Sequence, residues 1–181
     1  NHLEEMVASQ VAEMTRMQDE VITGIANLIE SRDGSTGLHV KNTQNYVQIL
    51  TKALREKGMY PDILDHNYEL NTVKASVLHD IGKIKTPDAI LLKPGRLTDE
   101  EFEVMKQHTV AGCEIIDRII GNVEHEEYVD IARKIARYHH ERWDGTGYPD
   151  GLSGEEIPLC ARIMALADVF DALYQDRCYK K

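Results

Sequence analysis

Apolar residues in this chain recur at three- and four-residue intervals almost throughout, with no sustained apolar–polar alternation, so the pattern predicts helices and no strands. The first thirty residues read as one helix with a heptad seam, in which Val7, Val11, Met14, Gln18, Val21, Ile25 and Leu28 alternate between d and a positions. Such a seam wants a partner. Two readings are open: a dimerising or signalling connector whose Gln18 fixes register, and a helix packed on its own domain. Residues 31–37 are rich in turn formers and break the pattern.

A second helix is predicted over about 38–57, with His39, Thr43, Tyr46, Leu50 and Ala53 on its inward stripe and Gly58 and Pro61 ending it. Residues 59–68 read as a loop with His66 on the surface. A third helix, about 69–83, would bury Leu70, Val73, Val77 and Ile81, and the spacing turns Asp80 inward with His79 one step round. A carboxylate in a core costs several kcal/mol unless compensated. Lys83 at i+3 is one possible partner and a metal ion the other. After a loop or short helix bounded by Pro87 and Pro94-Gly95, Thr98 and Glu101 form a capping box. The helix they open carries Phe102, Met105, His108, Gly112, Ile115 and Ile119 on one stripe and closes at Gly121-Asn122, beyond which His125 reads as solvated. A helix over about 126–140 places Tyr128, Ile131, Ile135 and His139 together and ends in His139-His140, where both rings can turn toward one centre. The segment 141–154, with Gly145, Gly147, Gly151 and Gly154, is either an ordered loop or a mobile flap. Pro158 opens a last helix in which Ile163, Leu166, Phe170 and Leu173 pack, while Met164, Asp168 and Asp171 share the neighbouring face.

Composition narrows the partners. With 31 acidic against 21 basic residues the formal charge is -10, which argues against a nucleic-acid polymer as partner. An anionic substrate would need a local positive centre. Cys113, Cys160 and Cys178 are odd in number and lack a CxxC pair, so a reduced, cytoplasmic protein is expected. No apolar run approaches the roughly 18 residues needed to cross a bilayer, so no membrane partner is expected. The start at Asn1 and the end at Lys181 read as those of a piece of something longer.

The residues that helical spacing points inward are His39, His79, Asp80, His108, His139, His140 and Asp168. Five imidazoles and two carboxylates exceed the four ligands of one tetrahedral zinc and suit two metals. Six-coordinate iron or manganese fits this nitrogen–oxygen mixture best, with nickel or zinc as alternatives. A carboxylate bridging two ions about 3.5–4 Å apart would hold an attacking water between them.

His39, the His79-Asp80 pair and Asp168 resemble the H…HD…D signature of the HD metal-dependent phosphohydrolases. The strings His79-Asp-Ile-Gly-Lys83, Pro87-Asp88, Lys93-Pro94-Gly95, His108, His139-His140-Glu141 and Asp144-Gly145-x-Gly147-Tyr148-Pro149 are similar to those of the HD-GYP subgroup, bacterial cyclic-di-GMP phosphodiesterases. The resemblance implies an all-α HD-domain helical bundle over 31–181, truncated at its C-terminal end, preceded by the connector helix 1–30. It also implies that His39, His79, Asp80 and Asp168 hold one metal, and that Asp80 bridges to a second held by His108, His139 and His140. The substrate cyclic di-GMP would be cut to pGpG, and further to GMP, by a metal-bridged water. Lys83 would then touch a substrate phosphate rather than serve Asp80. Tyr148, Asp171, Arg177 and Lys180 would be the other substrate contacts. The resemblance implies a GGDEF-domain partner, while the seam over residues 1–30 and the start at Asn1 point to a second copy paired through that helix and to an upstream regulatory domain. Two departures count: Ser35 stands where some members carry a third-metal glutamate, and the chain stops soon after Arg177-x-Tyr179-Lys180. The alternatives are a 3'3'-cGMP-AMP phosphodiesterase and a non-catalytic cyclic-dinucleotide or GGDEF-binding module.

Overall fold

The computed structural model describes residues 2–33, 38–121 and 126–174. Seven α-helices account for most of them: α1 (His2–Glu30), α2 (His39–Glu56), α3 (His66–Ala75), α4 (Asp88–Leu91), α5 (Asp99–Ile120), α6 (Glu126–Tyr138) and α7 (Leu159–Tyr174). Among the described residues the only β-type pairing is an isolated bridge between Asp144 and Ser153, so the all-α expectation holds. None of these helices is long and apolar enough to cross a membrane. Asn122, His125, Cys178, Ser35, Arg177 and Lys180 lie outside the described residues, and with them the readings placed on those positions.

Local chemistry sets the helix ends. Thr98 accepts from the Glu101 amide while the Glu101 carboxylate accepts from the Thr98 amide, giving the expected capping box at α5. The third helix differs from its expected bounds at both ends. It starts at His66, because Asp65 caps it by accepting from the Tyr68 amide at 2.7 Å. It stops at Ala75, where the Ser76 hydroxyl bonds back to the Val73 carbonyl at 2.7 Å and competes with the helical ladder. Two 3₁₀ turns follow, Ser76–Leu78 and Ile81–Lys85, and His79-Asp80 sits at their junction. Val77 and Ile81 are buried as expected, whereas Leu70 is exposed.

The core lies where α2, α5, α6 and α7 meet, around Val47, Ile116, Ile131, Ile135 and Met164. Three apolar stripes depart from expectation in part: His39, Thr43, His108 and Gly112 are buried as expected and Tyr46, Leu50 and Ile115 pack on the core, but other positions are turned. On α2 the buried line is Val40, Thr43, Val47 and Thr51, and Ala53 is exposed; on α5 it is His108, Gly112 and Ile116, with Phe102 and Ile119 exposed. On α7 Leu166, Phe170 and Leu173 are exposed, and the inner face instead carries Ala161, Met164, Ala167 and Asp171. Small residues let α7 approach α2 and α6 closely, and that orientation brings Asp168 and Asp171 to His39.

Helix α1 packs on the rest of the chain only near its end, through Ile22, Ala26 and Ile29 against the two 3₁₀ turns. The apolar seam residues from Val7 to Leu28 stay 44–70 % exposed. The packed face and the seam are therefore different sides of one helix.

Candidate metal centre

Three separate stretches aim imidazoles at Asp80. His79 Nδ1 is bonded to the Ser76 carbonyl at 2.9 Å, His108 Nδ1 to the Met105 carbonyl at 2.7 Å, and His139 Nδ1 to the Ile135 carbonyl at 2.9 Å. A carbonyl can only accept, so each Nδ1 carries the proton and each Nε2 presents a lone pair. The Nε2 atoms of His108 and His139 lie 3.3 and 3.6 Å from Asp80 Oδ1, and that of His79 lies 3.4 Å from Oδ2. The three Nε2 atoms and Asp80 Oδ1 are buried without a hydrogen-bond partner. Buried polar atoms are normally satisfied, so four orphans converging on one point mark a place for a cation. The His139-His140 doublet lies just past the end of α6, and both rings reach this centre, as the end-of-helix argument expects. Ligating atoms of Asp80, His108, His139 and His140 lie within 4.8 Å of one another.

The other side of Asp80 is built from the first turn of α2 and the last turns of α7. Ligating atoms of His39, His79 and Asp168 lie within 4.8 Å of one another. His39 Nε2 is 3.3 Å from Asp168 Oδ1, while Nδ1 is 2.5 Å from Asp171 Oδ2. Asp171 also accepts from Asn42 at 3.0 Å and is 0 % exposed. Expected among the substrate contacts, Asp171 sits behind His39, the arrangement by which a carboxylate orients a metal-binding imidazole. Sequence reasoning also missed Glu30. The last residue of α1, it is 4 % exposed with Oε1 3.6 Å from His39 Nε2, and it groups with His39 and Asp80 as a third set of ligating atoms. Its only sequence signal is the second stripe of α1, Ile22, Ala26 and Ile29, which turns the helix end inward.

Electrostatics separates the two sides. Burial pulls His108 down to about 4, and it takes His140 to about 2 with help from His139, so both rings are neutral at pH 7. Burial also opposes the charge on His39, but Asp168, Glu30 and Asp171 outweigh it and lift the group to about 9. Asp80 is held well below the usual carboxylate range, since Lys83 and His79 overcome the burial penalty. Asp168 is lowered in the same way by His39 and His79.

Lys83 Nζ lies 2.7 Å from Asp80 Oδ2, so the i,i+3 ion pair is made. Tyr148 stacks on His140 with ring centroids 4.8 Å apart and meets Phe102 edge-on at 6.0 Å, forming one wall of the centre. The loop that carries it is ordered, not a flap: buried Glu141 accepts from the Asp150 and Gly151 amides at 2.8 and 3.0 Å. Gly147 is required by contact, since a Cβ there would lie 2.3 Å from the Arg142 nitrogen.

These donor sets agree with the comparisons. The HD domain family model matches residues 3–181. A Vibrio cholerae protein named probable cyclic di-GMP phosphodiesterase is 45 % identical over 100 % of this chain and 41 % of its own length. A Thermotoga maritima cyclic di-GMP phosphodiesterase is 43 % identical over 89 % of this chain and 40 % of its own length. The 3'3'-cGAMP-specific phosphodiesterase 2 of Vibrio cholerae is 37 % identical over 94 % of this chain and 30 % of its own length. The chain thus spans less than half the length of these relatives. With the H…HD…D residues gathered at one centre and the family model covering nearly every residue, the chain belongs to the HD domain family, in its HD-GYP subgroup.

Proposed function

We propose that this chain hydrolyses cyclic di-GMP to pGpG, with GMP as a further product, at a centre of two divalent ions, iron or manganese. The observation that carries the reading is the convergence of orphaned Nε2 atoms from His79, His108 and His139 on the two oxygens of Asp80. His39, His79 and Asp168 would hold one ion, His108, His139 and His140 the other, and Asp80 would bridge them. When bound, the ions supply Lewis acidity and lower the pKa of the water that attacks phosphorus.

The protein's own groups do the rest. Asp80 and Asp168, both ionised, would hold the cations and leave the site net positive, which would draw a phosphodiester to an acidic protein. Lys83, 18 % exposed at its side chain, is placed to turn from Asp80 to a phosphoryl oxygen and offset developing charge. Tyr148, stacked on His140 with the Lys106 ammonium over its ring, would contact the substrate beside the centre. Reconstitution of metal-free protein with Mn²⁺ or Fe²⁺ should give pGpG release by chromatography. Full metal occupancy without turnover of either cyclic dinucleotide would leave a binding module. Turnover of 3'3'-cGMP-AMP alone would instead select the second reading, which the 37 %-identical relative favours.

In this reading residues 1–30 form the connector from an upstream regulatory domain, residues 31–181 form the catalytic domain, and the Tyr148 loop receives a GGDEF-domain protein. The exposed Val7 to Leu28 seam supports a homodimer. Sedimentation should find a dimer that Val11→Asp with Met14→Asp converts to monomer; a wild-type monomer at high concentration would sink the dimer.

A further inference from the structure

Helix α1 reaches into the centre through a single residue, Glu30. Packing does not require a carboxylate there, because Ile22, Ala26 and Ile29 already seat the helix against the 3₁₀ turns. A buried carboxylate is expensive, and an amide or apolar residue of similar size would seat α1 more cheaply. The place of Glu30, with an oxygen grouped with ligating atoms of His39 and Asp80, points to a chemical reason. The His39 imidazole already has Asp171 on Nδ1 and Asp168 on Nε2, and Glu30 Oε1 approaches the same Nε2 at 3.6 Å. One nitrogen cannot satisfy two carboxylates with one proton. A cation that takes Nε2 as ligand removes the conflict, since Asp168 and Glu30 can then both turn to the ion.

The geometry points to Glu30 as a third carboxylate of the metal centre, supplied by the connector helix to the His39 side. This rests on the metal-binding reading above. The sequence position associated with a third metal is Ser35, whereas the carboxylate found beside His39 and Asp80 comes from a different element. Its inclusion would reduce the formal charge of a two-cation centre from about +2 to about +1. The residues after it fix the helix end to the site: Arg32 donates to the Lys83 and Ile84 carbonyls at 3.3 Å and to Asp88 at 2.6 Å. A shift of α1 would therefore move a ligand of the His39-side ion, which makes metal occupancy depend on the connector.

The test is metal affinity, not activity. Metal-free wild type and Glu30→Gln, which keeps size and removes charge, are titrated with Mn²⁺ by calorimetry, with thermal unfolding followed in parallel. Glu30→Gln should bind the His39-side ion about tenfold more weakly and lose part of the Mn²⁺-induced rise in Tm, with its metal-free circular dichroism unchanged. Wild-type stoichiometry and affinity within twofold would overturn the assignment. Should the variant not fold, anomalous scattering from Mn²⁺-soaked wild-type crystals decides: an ion within bonding distance of a Glu30 oxygen supports the role, and none there overturns it. Wild type that takes up Mn²⁺ but cleaves no cyclic dinucleotide sinks only the proposed activity, leaving Glu30 to be judged on affinity. Wild type that binds no divalent ion overturns both.

Discussion

Asp80→Ala should empty both metal positions together and lower cyclic-di-GMP turnover by about 10³-fold. His108→Ala should chiefly deplete one position. The difference follows from how the oxygens of Asp80 are shared: Oδ1 faces His108 and His139, and Oδ2 faces His79 and Lys83. No other described carboxylate spans the two sides. Asp168 and Glu30 reach His39 but belong to no group with His108 or His140. Loss of Asp80 also removes the negative charge beside the Lys83 ammonium, which then disfavours any remaining cation nearby. Metal counting by plasma emission on dialysed protein separates the outcomes. Equal depletion by Asp80→Ala and His108→Ala would mean that the two sides do not fill independently, and a single retained ion in Asp80→Ala would refute the bridge.

What was legible in the chain was the inventory of the centre. Period-3.6 spacing brings His39, His108, His139 and Asp168 inward because each sits in or next to a helix whose buried face the pattern marks, and the structure gathers them at one point. The stripes were less well placed than the ligands. On α7, Leu166, Phe170 and Leu173 outweigh Ala161 and Ala167 in any hydrophobicity count, yet close approach to α2 and α6 favours the small residues. The break after Ala75 was hidden for a related reason. A serine inside an apolar run reads as tolerable, and nothing in the sequence shows that the Ser76 hydroxyl turns back to the Val73 carbonyl, or its carbonyl to His79 Nδ1, where the 3₁₀ turns begin. Backbone carbonyls leave no trace in a sequence, so the orientation of His79, His108 and His139 could not be read from it. Asp171 was read as a substrate contact because its partner His39 lies 132 positions away, and Glu30 was missed because the stronger apolar seam of α1 lies on another side of that helix.

The His79-Asp80-Ile-Gly-Lys83 string keeps its glycine for a reason of space, and Gly82→Ala should therefore be among the most damaging single-methyl changes in the protein. A Cβ at Gly82 would lie 1.8 Å from the His108 carbonyl oxygen and 2.5 Å from the Gly112 nitrogen. Both are backbone atoms in the middle of α5 and cannot rotate away. The turn Ile81–Lys85 must then separate from α5, at a cost of about 3 kcal/mol, which corresponds to a fall in Tm of roughly 6–12 °C. The site should suffer in a particular order. Asp80 is two residues from the inserted methyl and faces His108 across the same seam, so the 3.3 Å approach of His108 Nε2 to Oδ1 opens first. Metal on the His108, His139 and His140 side should weaken before metal on the His39 side, which hangs on α2 and α7. Gly112→Ala meets the Ala136 methyl at 3.3 Å and the Gly82 nitrogen at 3.4 Å, looser contacts than those at Gly82, and should cost less; Gly24→Ala, with nothing within 4 Å, should be neutral or slightly stabilising within α1. Thermal unfolding of the three variants, with and without Mn²⁺, measures the series. A Gly82→Ala protein as stable as Gly24→Ala would mean that α5 and the turn do not touch as described, and the joint position of Asp80 and His108 would fall with that contact.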